Sequence, residues 1–129
     1  MTVGRDPVDV GPVPSSVRVE RWVDQAAVMP RAVAMVSHGE SGSTLTALAA
    51  GVPQAFVPLF VDGPANAQRV AELGAGIVAG DLRAAVGALL HDHSYAVAAR
   101  RVAGEIAALP PVDESVALLQ RSAAGQAIR

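Results

Sequence analysis

The stretch from residue 32 to residue 45, AVAMVSHGESGSTL, decides the fold. Its first part, Ala32–Ser37, is a continuous apolar run that ends in a small polar residue, as expected for a buried parallel strand. Residues 38–44 are rich in glycine and serine, and from Leu45 the apolar residues take up a helical spacing that ends at Gly51. The stretch therefore predicts a strand, a glycine-rich turn and the start of a helix.

Strand-like and helix-like segments alternate on both sides of this unit. Short strands are predicted at residues 1–4, 17–21, 54–58 and 77–78, with a proline-rich loop at 6–16 and a polar turn at 62–66. Helices are predicted at residues 25–29, 65–73, 81–91, 95–109 and 113–124. Asp24 is the expected cap of the first of these helices, Pro30 its end, and Gly74 the end of the second. The alternation predicts an α/β fold, with a Rossmann-like parallel sheet and helices on both faces.

Composition limits the classes of function. The 129 residues provide for one domain, and 51% hydrophobic against 17% charged residues predicts a folded chain. The net charge is -2 and all ten basic residues are arginines, so nucleic-acid binding is not expected. The absence of cysteine excludes thiolate metal sites and thiol nucleophiles. The sequence has no run of about 18 apolar residues, so no membrane span is predicted. Its start lacks a basic segment followed by an apolar one, so no leader is predicted and we expect a cytoplasmic protein.

The turn at residues 38–44 has the properties of an anion site. A helix N-terminus presents unpaired N–H groups and the positive end of its dipole, and glycine permits close approach. The Ser43 and Thr44 hydroxyls and the His38 ring can add hydrogen bonds to phosphate oxygens. The simpler alternative is that Ser41 or Ser43 only caps the helix. The turn matches neither a Walker loop nor the dinucleotide Gly-x-Gly-x-x-Gly pattern, so spacing alone leads no further than an anion.

Four blocks of sequence together resemble the donor-binding signature of nucleotide-sugar glycosyltransferases. They are Trp22–Gln25 (WVDQ), His38–Leu45 (HGESGSTL), Ala47–Gln54 (ALAAGVPQ) and Pro58–Ala67 (PLFVDGPANA). The family is that of the UDP-glucuronosyl and plant secondary-product transferases, and the chain is most similar to its bacterial branch that glycosylates antibiotics. The resemblance implies a GT-B architecture, of which residues 1–129 are similar to an incomplete C-terminal, donor-binding half. Its first strand and helix and the acceptor domain are expected to be missing.

The resemblance also implies roles for individual residues. The base of the donor would lie against Trp22, Val23 and Gln25. The diphosphate would be bound by His38, Gly39, Gly42, Ser43 and Thr44, and the sugar by Asp62 and Gly63. Simpler alternatives are a half-buried packing role for Trp22 and a turn or cap role for Asp62.

No catalytic residue, metal or cofactor is implied for this chain. The base that activates the acceptor hydroxyl would belong to the acceptor domain. The helix dipole and side-chain donors can balance the charge of the diphosphate without a metal ion. His91 and His93 could be imagined as metal ligands, but they lie two residues apart and a third ligand is not evident, so a solvated helix end is preferred.

The chain departs from the family at four positions of the site. The family commonly has Pro at Asp24, Gly at Glu40, Glu at Thr46 and Gln at Gly63. The glutamate usually holds the ribose hydroxyls, so Thr46 suits a deoxyribose and hence a dTDP-sugar. The lost amide at Gly63 removes a sugar contact, and Glu40 repels a diphosphate unless its side chain turns away.

Two functions follow as hypotheses. The first is the donor-binding part of an inverting glycosyltransferase that moves a sugar from a dTDP- or UDP-sugar to a hydroxyl of a small molecule, inactive until an acceptor-binding domain or subunit joins it. The second is a nucleotide-sugar binding or scaffold protein without catalysis. Self-association of the chain is left open.

Overall fold

Three parallel strands form the centre of the computed structural model, which describes residues 1–2, 10–59 and 61–123. They are β1 (Met35–Ser37), β2 (Gln54–Phe56) and β3 (Gly76–Val78), and they lie in the order β1-β2-β3. The register pairs Val36 with Ala55 and Ala55 with Ile77. Each strand is reached through a helix, as parallel pairing requires.

The helices lie before, between and after the three strands. They are α1 (Gln25–Val28), α2 (Ser41–Ala49), α3 (Gly63–Glu72), α4 (Leu82–His91), α5 (His93–Ala107) and α6 (Val112–Ala123), with a 3₁₀ turn at Met29–Arg31. Asp24 caps α1 by accepting a hydrogen bond from the Ala27 N–H. Gly74 follows α3 with a φ of +72°. Both of these sequence predictions are confirmed.

The core lies on both faces of the sheet. Phe56 of β2 is fully buried in a cluster to which α2, α3 and α5 contribute Leu48, Val70 and Val102. The preceding residue, Ala55, belongs to a second cluster with Leu89 of α4. Because successive residues of a strand point to opposite faces, these two clusters lie on opposite sides of β2. The predicted Rossmann-like sheet with helices on both faces is confirmed.

Most of the strand predictions were too long, whereas the one at 77–78 was one residue too short because β3 begins at Gly76. The segment Ala32–Ser37 forms a strand only from Met35, and 54–58 only as far as Phe56, because each strand extends only as far as its neighbour provides partners. The strands expected at 1–4 and 17–21 form a single parallel bridge between Thr2 and Glu20. Residues 3–9 lie outside the described residues. Among the described residues of these two segments, no other strand pairing is formed.

The helix predictions erred at their ends. The first helix ends at Val28, before Pro30 as predicted, but Pro30 itself lies in the 3₁₀ turn that continues from this helix. Helix α3 begins at Gly63 instead of residue 65, with Pro64 in its first turn, where the missing N–H costs nothing. Helices α4, α5 and α6 shift by one or two residues from their predicted bounds. Among the described residues, none of the helices combines the length and the apolar composition needed to cross a membrane.

Candidate functional site

Three segments of the chain meet beyond the carboxyl ends of β1 and β2. They are residues 22–25 at the start of α1, residues 38–44 around the start of α2 and residues 62–66 at the start of α3. The Gln25 amide donates to the Ser43 hydroxyl at 3.1 Å, and the Ser41 N–H donates to Asp62 at 3.1 Å. Ligands of open α/β sheets bind in this position. We refer to these three segments as the carboxyl edge.

The loops after β1 and β2 touch through the backbones of Gly39 and Gly63. A Cβ atom on Gly63 would lie 2.5 Å from the His38 carbonyl oxygen, and one on Gly39 would lie 2.7 Å from the Gly63 carbonyl oxygen. Gly39 also has a φ of +89°, which favours glycine. Both residues are buried. Their first role in the structure is therefore to let the two loops pack together, while their predicted contacts with diphosphate and sugar stay predictions.

Asp62 caps the neighbouring helix rather than its own. Its Oδ2 accepts hydrogen bonds from the N–H and the hydroxyl of Ser41, the first residue of α2. Helix α3, which begins directly after Asp62, receives no side-chain cap from it. The hydrogen bond from the Ser41 hydroxyl is the main reason why the pKa of Asp62 is lowered, with partial desolvation opposing it and Asn66 assisting. Asp62 thus has the cap role that the sequence offered as an alternative, but the helix that it caps begins 21 residues earlier in the chain.

Asn66 ties the same two loops together. Its amide donates to Asp62 Oδ2 at 2.9 Å and to the Gly39 carbonyl oxygen at 2.9 Å. A second amide, that of the buried Gln54, donates to the Thr44 carbonyl oxygen at 3.2 Å and holds α2 against β2. Sequence patterns single out neither residue as functional. The only signal for them was that both lie within the quoted blocks of the resemblance.

Polar contacts cross the start of α2 from Gln25 to His38. Ser43 accepts from Gln25 and donates from its hydroxyl to Glu40 Oε1 at 3.0 Å. The other oxygen of Glu40 lies 3.3 Å from His38 Nε2. The Glu40 carboxylate therefore faces the predicted phosphate-binding side chains and does not turn away from them.

Thr44 and Gly42 differ in their exposure to solvent, although both belong to the first turn of α2. The Thr44 hydroxyl is buried and has no hydrogen-bond partner, which costs about 1–3 kcal/mol relative to a bonded hydroxyl. Gly42 is exposed, and a Cβ atom added to it would meet nothing within 4 Å. Gly42 therefore leaves the helix start open to an approaching ligand, whereas Thr44 is closed off behind it.

Trp22 borders an open cleft at the other end of the carboxyl edge. The cleft measures about 430 Å³ and is also lined by Val23, Gln25 and Thr46. Trp22 is 75% exposed, so the alternative of a half-buried packing residue is wrong. An exposed indole beside a cleft of this size offers a flat surface to a planar ring.

His91, just before the start of α5, is used locally. A ring nitrogen of His91 lies 2.7 Å from the Gly87 carbonyl oxygen. Asp92 caps α5 by accepting from the Ser94 N–H at 2.9 Å, and hydrogen bonds from Ser94 lower the pKa of Asp92. In the part of the chain that the structure describes, no three His, Cys, Asp or Glu side chains are grouped so as to hold a metal ion.

The parallel sheet, its two layers of helices and the loops gathered at its carboxyl edge define the class. These features are those of part of the C-terminal half of a GT-B glycosyltransferase. The chain belongs to the family described as "Erythromycin biosynthesis protein CIII-like, C-terminal domain", whose model matches residues 3–121.

Known proteins of this kind are similar over most of the chain. Elloramycin glycosyltransferase ElmGT of Streptomyces olivaceus is 45% identical over 117 residues, which are 89% of this chain and 31% of that protein. The crystal structure of glycosyltransferase VinC in complex with dTDP is 34% identical with a TM-score of 0.80, over 88% of this chain and 30% of VinC. The Streptomyces sp. SF2575 glycosyltransferase SsfS6, complexed with thymidine diphosphate, is 35% identical with a TM-score of 0.77, over 84% of this chain and 30% of SsfS6.

The chain spans about a third of the length of these relatives. The relatives of this chain are bacterial natural-product glycosyltransferases. The wider link to the UDP-glucuronosyl and plant transferases, and the ligand roles of single residues, stay predictions.

Proposed function

We propose that this chain is the donor-binding part of an inverting glycosyltransferase that takes a sugar or deoxysugar from a dTDP- or UDP-sugar. The acceptor would be a hydroxyl of a small molecule, and the chain would be inactive without an acceptor-binding domain or subunit. The observation that carries this proposal is the meeting of residues 22–25, 38–44 and 62–66 at one edge of the sheet. Two relatives of similar fold are complexes with thymidine diphosphate, which supports a nucleoside diphosphate as the ligand.

The layout of the carboxyl edge suits a nucleotide from one end to the other. The base would stack on exposed Trp22 in its cleft, within reach of Gln25. The diphosphate would lie at the start of α2, where the helix dipole, the His38 ring and the Ser43 hydroxyl attract an anion. The sugar would lie beside Asp62, whose Oδ2 is occupied by Ser41 and Asn66, so that Oδ1 would accept from sugar hydroxyls.

The chemistry would be a direct displacement. The acceptor oxygen attacks the anomeric carbon as the bond from that carbon to the diphosphate oxygen breaks, and the hydroxyl proton passes to a base in the acceptor domain. Negative charge grows on the leaving diphosphate. The part played by this chain is to hold that charge at the start of α2, where preorganised N–H groups stabilise it.

A second candidate is nucleotide-sugar binding without transfer. The observation in its favour is Glu40, whose carboxylate contacts His38 and Ser43. The two candidates differ in one measurement, the transfer of sugar after an acceptor domain of a related transferase is added. Transfer supports the enzyme, and its absence with intact dTDP binding supports the binding protein.

The proposal is tested by calorimetry with dTDP and UDP on the pure chain. We expect saturable binding that His38→Ala weakens by about 1–3 kcal/mol, the range for a hydrogen bond to a charged group. His91→Ala is the matched control, because His91 is an exposed histidine that bonds only within its own helix. Equal losses in the two variants, or no binding of either nucleotide, would contradict the proposed site. Robust sugar transfer by the pure chain would contradict its dependence on a second domain.

A further inference from the structure

The Glu40 carboxylate holds the same side chains that the proposed function assigns to the diphosphate. One oxygen accepts from the Ser43 hydroxyl and the other lies beside the His38 ring, while Ser43 is in turn held by Gln25. A hydroxyl has a single hydrogen to donate, so while Ser43 donates to Glu40 it cannot donate to a phosphate oxygen. Two of the proposed phosphate-binding side chains are therefore engaged by a carboxylate of the protein itself.

A second carboxylate lies at the same helix start. Asp62 accepts from the N–H of Ser41, the first residue of α2. Anions at a helix N-terminus are stabilising, and here the protein supplies two of them. A phosphate group that enters this place must share it with both negative charges or displace one.

The two carboxylates are not equally free to leave. Asp62 is fixed by Ser41 and by Asn66, both from segments that the loop contact holds together. The Glu40 side chain is 53% exposed, and its partners are one hydroxyl and one ring nitrogen. Glu40 can therefore swing into solvent without disturbing the packing, and Asp62 cannot.

We propose that Glu40 sets the affinity and charge selectivity of the donor site by occupying the phosphate position and yielding it when a diphosphate binds. This inference rests on the proposed function, since it concerns the same site. Each negative charge on the ligand adds to the repulsion, so Glu40 penalises a diphosphate more than a monophosphate and leaves an uncharged nucleoside unaffected.

The test is the replacement Glu40→Gln, which keeps the size of the side chain and removes its charge. At low, fixed ionic strength, calorimetry with dTDP, dTMP and thymidine should show dTDP binding about tenfold tighter than to the parent chain, a smaller gain for dTMP and no change for thymidine. Glu72→Gln is the matched control, because Glu72 lies at the far end of α3, about 13.5 Å along the helix from Gly63. It should change dTDP affinity by less than about twofold.

Glu40→Gly provides a second variant if the glutamine variant fails to fold. It removes both the charge and the side chain, and we expect a gain for dTDP equal to or somewhat above that of Glu40→Gln. Equal dTDP affinity in the parent and both variants would overturn the inference and leave the proposed function standing. A gain that is as large for thymidine as for dTDP would also overturn it, because the loop rather than the charge would then be responsible. Failure of the parent and of every variant to bind dTDP would contradict the proposed function itself, and the inference with it.

Discussion

Helices α2 and α6 are held differently in this protein, although both have apolar residues at helical spacing. Helix α2 (Ser41–Ala49) buries Ser43, Thr44, Ala47 and Leu48. Helix α6 (Val112–Ala123) buries none of its residues, and Val112, Val116 and Leu119 are all exposed. The three lie at the i, i+4 and i+7 spacing of an apolar helix face, so periodicity alone predicts burial for α6 as well.

The difference comes from partners that are distant in sequence. The start of α2 is held by Asp62, its first turn by the amide of Gln54, and Ser43 by Gln25. No side-chain hydrogen bond or buried contact of this kind reaches α6 from elsewhere in the described chain. An amphipathic sequence is enough to form a helix, but whether its apolar face is covered depends on which elements the fold brings next to it.

Within the carboxyl edge, the largest effect is expected from separating its two loops. Gly63→Ala places a Cβ atom 2.5 Å from the His38 carbonyl oxygen, and backbone cannot give way as a flexible side chain can. We expect the free energy of unfolding to fall by about 1–3 kcal/mol or more, as for overpacking in a tight core. Urea unfolding followed by circular dichroism measures it.

Gly42→Ala is the matched control for this prediction. The added Cβ atom would meet nothing within 4 Å, and the position is helical. Alanine is favoured over glycine in a helix by up to about 1 kcal/mol, so this variant should be as stable as the parent or more so. Similar losses in both variants would show that the loop contact does not hold the carboxyl edge.

Acid should weaken the carboxyl edge before it affects α6. The pKa of Asp62 is lower in the folded chain than in the unfolded chain, so Asp62 stabilises the fold at neutral pH. That contribution is present above the unfolded value of about 4 and is lost as the pH falls through the lower folded pKa. We expect the urea midpoint of Asp62→Asn to lie below that of the parent at pH 7 and to approach it at a pH well below the unfolded value of about 4.

The control for the acid effect is Asp113→Asn, the same exchange in the first turn of α6. Its urea midpoint should follow that of the parent at both pH values, apart from a small loss of dipole interaction. A constant difference between Asp62→Asn and the parent across this range would show that the carboxylate form of Asp62 does not hold the start of α2.

The smallest effect is expected in α6. Leu119 is 69% exposed, so Leu119→Ala should change the free energy of unfolding by no more than about 0.5 kcal/mol. Leu89→Ala makes the same exchange in α4 at a position that is 4% exposed, where a loss of about 2–5 kcal/mol is expected. A loss above 1 kcal/mol for Leu119→Ala, about twice the surface limit, would mean that α6 is covered in solution.

Much of the fold could be predicted because it depends on local signals. The apolar run before His38 and the glycine-rich turn after it indicate a strand–turn–helix unit, and Asp24 and Gly74 mark helix ends through their own backbone neighbours. The strands at the start of the chain could not be predicted correctly, because a strand needs a partner, and among the described residues of these segments only Thr2 and Glu20 are paired. The prediction that the strand from residue 54 extends to Pro58 was wrong for the same reason.

The residues of the carboxyl edge could be chosen from the sequence, but their partners could not. The sequence has glycine, serine, histidine and aspartate after two neighbouring strands. Because parallel strands end on the same side of a sheet, this determined that polar groups would gather at one edge. Which of those groups would bond to which was decided only by the tertiary structure. Asp62 caps α2 and not α3, because the close approach of Gly39 and Gly63 brings Ser41 within reach of its carboxylate. Glu40 faces His38 and Ser43 because the turn of the backbone places all three side chains on one side of the helix start, and hydrogen-bond geometry of that kind is set by contacts in space rather than by residue type.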